Sequence, residues 1–185
     1  LFAPSKINKK QFKPISLELV EKTILVLNEI ISKNKNILVI IKEKKGELEY
    51  INHNLKLLID NSKNFYKISS EKPKLLKFNQ FEEVIPECNL LLTLTSTSTT
   101  VLQSLDKNIP FICINEDHPK SFYKQYENCE VDLKNINEAI NYWLSKNSDE
   151  LKIILSKIKK DLNISEKNGL RDVAYFLKNL LNDKL

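Results

Sequence analysis

The chain has 185 residues, 42% of them hydrophobic, enough to bury one sizeable core, and the expectation is a single compact domain. Two glycines and six prolines are too few for an all-β sandwich with many tight turns or for a low-complexity tail. The net charge of +5 is a modest excess spread along the chain, with little arginine and no glycine-aromatic motif, so no nucleic-acid partner is expected; attraction to an acidic membrane face fits the same charge.

Cys88, Cys113 and Cys129 are odd in number, widely spaced and without a C-x-x-C pair, which predicts buried thiols in a reducing cytosol rather than disulfides or a zinc site. No apolar run approaches the roughly 20 residues needed to span a bilayer. The expected location is therefore cytoplasmic, with peripheral contact at the inner face of the membrane as the place the charge suits. Methionine is absent, so the chain is expected to be a fragment of a longer protein.

In chain order, Ser16 suits the N-cap of a helix whose apolar face is Leu17, Val20, Ile24, Leu27, Ile30 and Ile31, broken at Asn36. Ile37 to Ile41 is a continuous apolar, β-branched run, the pattern of a parallel strand covered on both faces. Leu48 to Asn64 reads as a helix and Leu75 to Phe78 as a second strand. Phe81, Val84 and Ile85 read as a short helix stopped by Pro86, and Leu90 to Thr95 as another buried strand. A helix with Val101, Leu102 and Leu105 follows, ends near Lys107-Asn108, and leads through Pro110 into a strand at Phe111 to Asn115. This alternation predicts an α/β fold, a Rossmann-like parallel sheet flanked by helices on both faces, over residues 1–134. Residues 135–185 are expected to be helices packing on that domain: Ile136 to Leu144, Leu151 to Leu162 with Asp149 able to cap it, and Leu170 to Leu181.

In an open parallel sheet, ligands bind beyond the carboxyl ends of the strands, where helix N-termini present unpaired N–H groups and partial positive charge. Ser96, Thr97, Ser98, Thr99 and Thr100 lie at such a junction and add hydroxyl donors to the backbone ones. A helix cap needs one hydroxyl, and five in a row exceed that need. A phosphate or diphosphate is the expected guest. Without glycine there, neither a Walker loop nor a dinucleotide fingerprint can form.

The segment from Asn89 to Pro110, with its strand, Ser/Thr turn, helix and apolar-proline entry into the next strand, resembles the donor-site segment of bacterial GT-B glycosyltransferases that build surface polysaccharides. Asn108 stands where those enzymes usually have glycine, and asparagine shares glycine's access to left-handed backbone. Val39-Ile40-Ile41-Lys42-Glu43-Lys44 resembles the strand and basic loop across the same cleft, although Glu43-Lys44 replaces the His-Pro pair of many relatives and the chain's own His118-Pro119 falls later. The resemblance implies the donor-binding half of a two-domain enzyme, inactive alone, with the acceptor site and catalytic base on a missing N-terminal domain. Its donor would be a UDP- or CMP-sugar, its acceptor a glycan, and no further cofactor or metal is implied. Two other reactions of the same fold, nucleotide-sugar epimerisation and polyol-phosphate transfer, stay open, as does a non-catalytic scaffold that binds a phosphorylated ligand.

Lys42 and Lys44 follow a strand and can neutralise a donor phosphate, or can be solvated loop lysines. Just past the strand at Phe111 to Asn115, where GT-B relatives often hold a ribose or sugar hydroxyl with a carboxylate, the resemblance assigns Glu116, with Asp117 as competitor. His118 can act as a general base, touch the leaving phosphate, or be a loop histidine of no special role. Tyr123 and Tyr126 can stack on a base or sugar, or pack a short helix. No Asp-x-Asp or clustered His, Cys and carboxylate set predicts a metal.

Overall fold

A computed structural model describes residues 16–42, 50–68, 85–94, 99–114 and 122–164. Helix α1, Leu17–Lys33, starts as its sequence predicts: the Ser16 hydroxyl accepts the Leu19 N–H at 3.1 Å. Its buried face is Leu19, Thr23, Ile24, Leu27, Ile30 and Ile31. The one hydroxyl on that face is satisfied, because Thr23 Oγ1 donates to the Leu19 carbonyl at 2.7 Å.

Strand β1, Val39–Lys42, pairs in parallel with β2, Phe65–Ile68, through the connecting helix α2, His53–Asn61. The two strand entrances are tied by Asn64, whose side-chain amide donates to the carbonyls of Lys35 and Ile37 at 3.0 and 2.8 Å. The Asn64 carbonyl in turn accepts the Val39 N–H at 2.8 Å. Three features differ from the sequence expectation. β1 is shorter than Ile37 to Ile41 at its start and is not covered on both faces, since only Ile41 in it is buried. α2 is shorter than Leu48 to Asn64, because Asn52 caps it and the chain turns after Ser62 toward β2. β2 begins directly after the span assigned to that helix, where the pattern predicts no strand. The expected strand Leu75 to Phe78 lies outside the described residues.

A 3-10 turn, Ile85–Glu87, contains Pro86 instead of stopping at it; in a first turn the missing proline N–H has no partner to lose. It leads to β3, Leu91–Thr93, then to helix α3, Thr99–Asp106, and to β4, Phe111–Ile114. β3 and β4 are parallel, with Leu91, Leu92 and Thr93 opposite Phe111, Ile112 and Cys113. Beyond a 3-10 turn at Phe122–Gln125, the two-residue strand β5, Glu130–Val131, adds in parallel to the other side of β4. All four β4 residues are buried, as a strand between two neighbours and under helices requires. The sequence pattern predicts no strand at the position of β5.

Helices α4, Ile136–Ser145, and α5, Ser148–Asp161, follow. α4 packs on β4 and buries Ile136, Ala139, Ile140 and Trp143. The Trp143 indole N–H donates to the Asn128 carbonyl at 2.8 Å, which lets the ring be buried without an unsatisfied donor. α5 is capped by Asn147, not by Asp149. Asn147 Oδ1 accepts the N–H groups of Asp149 and Glu150, and the Glu150 carboxylate accepts the Asn147 N–H at 2.9 Å. The expected helix Leu170 to Leu181 lies outside the described residues.

The architecture is α/β, with two small parallel sheets, β1-β2 and β3-β4-β5, sharing one hydrophobic core. Among the described residues, hydrogen bonding does not join them into the single sheet expected. No described helix is long and apolar enough to cross a membrane.

Two helices end in the same device. After α3, the N–H of Asn108 donates to the Leu105 carbonyl and that of Ile109 to Ser104; after α5, Asn163 donates to Lys160 and Ile164 to Lys159. Each turn needs a left-handed residue, and Asn108 and Asn163 supply it with φ of 57° and 54°. The Lys159 ammonium donates to Asn108 Oδ1 at 2.8 Å and so links the second helix end to the first.

Urea unfolding tests both kinds of cap. Asn108→Ala, which keeps a Cβ at positive φ and loses the polar tip, is expected to cost about 1–2 kcal/mol, whereas Asn108→Gly changes stability by less than about 1 kcal/mol. Asn147→Ala is expected to cost about 1 kcal/mol and Asp149→Ala only about 0.3 kcal/mol, the size of a first-turn dipole contribution. Equal losses at Asn147 and Asp149 would contradict the assigned cap.

Candidate functional site

Parallel pairing sends β3 and β4 out of their sheet on the same side. β3 ends at Thr93 and α3 starts at Thr99, so the N-terminus of α3 follows the carboxyl end of a parallel strand. Val101, Ser104 and Leu105 are the buried residues of α3 and seat it on β3 and β4. The Ser104 hydroxyl donates to the Val101 carbonyl at 2.7 Å and is thereby accommodated in the core. The N–H groups of a first helical turn point along the axis and carry its positive end, which gives this junction a positive electrostatic character.

Of the residues that the sequence assigns to the site, Thr99 is exposed on that first turn and Thr100 beside it is half-buried. Lys42 is half-buried at the last position of β1, which belongs to the other sheet. Thr99 and Thr100 are thus adjacent by helix geometry, while Lys42 comes from a separate strand end. Ser96, Thr97, Ser98, Lys44, Glu116 and His118 lie outside the described residues, as does Asp117. His53 is the exposed first residue of α2.

The two tyrosines are packing residues, the second of the two roles their positions allow. The Tyr123 ring meets Phe111 edge-on at 4.9 Å, and Phe122 lies 5.5 and 5.6 Å from Tyr123 and Tyr126. The Tyr126 hydroxyl donates to Asp161 Oδ2 at 2.6 Å, joining the turn before β5 to the end of α5. Burial pushes the Tyr123 phenol far above its ordinary range, and burial with the Asp161 carboxylate does the same to Tyr126.

A groove that sequence reasoning missed is lined by Glu127, Asn128, Glu138, Asn141, Tyr142 and Ser145, with a volume of about 540 Å³. It is open to solvent and most of its lining side chains are exposed. The register puts it at the wrong end of the sheet for the expected ligand. Cys113 stands opposite Glu130, so Asn128 is level with the start of β4, whereas α3 begins beyond the strand ends. Single polar residues on one helix face and one turn carry no sequence signal that would have marked it.

The described residues hold no group of three or more His, Cys, Asp and Glu placed to bind a metal. Cys113 and Cys129 are buried thiols, as the sequence predicts, whereas Cys88, expected to be buried as well, is only half-buried. Burial, reinforced by the nearby Glu130 carboxylate, pushes Cys113 well above the ordinary thiol value and Cys129 up to about 12. Such thiols stay protonated and are poor nucleophiles.

The raised values have a defined sign in stability. The unfolded chain releases each thiol proton near pH 9 and the folded chain holds it, so the contribution is complete below that pH and declines as pH rises toward 12. The decline is about 1.4 kcal/mol per pH unit for each thiol. Cys129→Ala is therefore expected to show a shallower fall in urea midpoint across this alkaline window than the parent protein, on top of a pH-independent packing loss. An unchanged slope would contradict the assignment.

Compared with family models, with curated proteins and with solved structures, the chain matches none.

Proposed function

We propose that this chain is the nucleotide-sugar-binding half of a GT-B-type glycosyltransferase acting in surface polysaccharide synthesis, with a Rossmann-like donor-binding unit around β3, α3 and β4. The observation that carries the reading is the geometry of that unit. Two parallel strands flank a helix that starts beyond the carboxyl end of the first, and Asn108 at φ 57° occupies the position where the resembled donor segment has glycine. Glycine and, at modest cost, asparagine adopt that conformation routinely, so the substitution preserves the turn that the segment requires.

In this reading Thr99 and Thr100, with Ser96, Thr97 and Ser98 before them, surround the donor phosphates with hydroxyl and amide donors. Transfer breaks the bond between the anomeric carbon and a phosphate oxygen, and the acceptor oxygen forms the new bond. Negative charge grows on the departing phosphate. Fixed N–H dipoles and hydroxyls aimed at that charge stabilise the transition state more than the ground state, which is what accelerates the step. Lys42 and Lys44 add positive charge, Glu116 holds a sugar or ribose hydroxyl, and His118 contacts the donor. The acceptor glycan and the catalytic base belong to the N-terminal half.

A thermal-shift panel of UDP, CMP, GDP and CDP tests the reading. A nucleotide at about 100 times its dissociation constant adds about 2.7 kcal/mol, which raises the melting temperature of a domain this size by roughly 5–10 °C. The combined Ser98→Ala and Thr99→Ala variant is expected to abolish the shift. A shift that survives the double variant moves the site away from α3, and no shift with any nucleotide favours a scaffold without a nucleotide ligand.

A further inference from the structure

We propose that the outer face of α5 is a docking surface for an anionic lipid bilayer. At 100° per residue, Lys152, Ser156, Lys160, Ile153 and Lys157 fall on one continuous face of the helix. All five are exposed, and Leu155 and Ile158 on the opposite face are buried in the core. The orientation of α5 is therefore fixed by packing, and this face points outward. Ile153 is the exception to the polar character of the face, with 72% of its surface exposed.

The acids of the helix leave the stripe with a net positive charge. Glu150 accepts the Asn147 N–H and pairs with Lys146, and Asp161 accepts the Tyr126 hydroxyl. Asp149, exposed in the first turn, falls on the same face and offsets one of its three lysine charges. Among the described residues none of Lys152, Lys157 and Lys160 forms an ion pair. Lys159 is turned away from them toward Asn108.

Charge complementarity selects the occupant. Three ammonium groups on long apolar stems reach lipid phosphates and carboxylates, and an isolated exposed isoleucine among them inserts at the headgroup boundary. A nucleic acid would use the charges but leave Ile153 in contact with nothing apolar, and it would favour the planar guanidinium of arginine, which occurs in the chain only as Arg171. None of the residues assigned to the donor site lies on this face, so the proposal stands or falls independently of the glycosyltransferase reading.

Flotation of the full chain with phosphatidylcholine vesicles, with and without phosphatidylserine, is the test. Binding is expected only where phosphatidylserine is present and is expected to weaken as added salt shortens the screening length. Each lysine near the surface contributes roughly fivefold to the partition coefficient, so replacing Lys152, Lys157 and Lys160 together by Gln lowers it on the order of 100-fold. Replacing Lys33, Lys107 and Lys124 by Gln removes the same charge from other exposed positions and is expected to leave most of the binding. Ile153→Ser lowers binding while retaining its salt dependence. Since the substituted residues of the face are all exposed, circular dichroism of the variants is expected to match the parent. Absence of binding, equal binding to both vesicle types, or equal loss in the two triple variants overturns the proposal, and so does a face-dependent affinity for single-stranded DNA in the absence of vesicle binding.

Discussion

Phe111, Ile112, Cys113 and Ile114 have no accessible surface, and the three-stranded half of the molecule is arranged around that fact. Side chains pointing to both faces of a strand can all be dry only if other elements cover both faces and the backbone groups find partners on neighbouring strands. β3 and β5 supply those partners, down to the Cys113 N–H, which donates to the Cys129 carbonyl at 2.8 Å. Each fully buried large side chain contributes about 1.5–3 kcal/mol. That gain is available only with α3 and α4 in place, so the helix that follows β3 is anchored by the same burial that holds the sheet together.

Asparagine does in this chain what glycine does elsewhere. The described non-glycine residues with positive φ are Asn108, Asn128 and Asn163, in a sequence with only two glycines. Asparagine carries the cost of a Cβ in left-handed backbone but brings a side chain that can be used. At Asn108 it is used, by Lys159, so the turn entering β4 is held from outside by α5. Tyr126 and Asp161 make a second tie between α5 and the segment before β5.

Elements are legible in the sequence where one signal suffices. Ser16 before apolar residues at helical spacing marks α1, and the unbroken Phe111 to Ile114 run marks β4. β2 is not legible because Phe65-Tyr66-Lys67-Ile68 alternates weakly and depends on Asn64, which holds it in line with β1 through bonds to residues 27 and 29 positions away. β5 is two residues long, and only its pairing with the second edge of β4 makes it a strand. Asn147 and Asp149 are equally good caps by composition, and backbone geometry alone selects Asn147, extended at φ −78° and ψ 170°. For the candidate site, the strand-to-helix junction is legible, and Thr99 and Thr100 lie on it. Packing of the tyrosines is not, since Phe111 and Asp161, which engage them, are distant in sequence.

The environment of Trp143 has a practical side. It is the chain's only tryptophan, its ring is buried, and its indole N–H is committed to a carbonyl in the turn that leads into β5. Intrinsic fluorescence excited at the indole band thus arises from one position, at the contact between α4 and that turn. The protein carries a built-in optical probe whose emission colour tracks the integrity of this contact without any label.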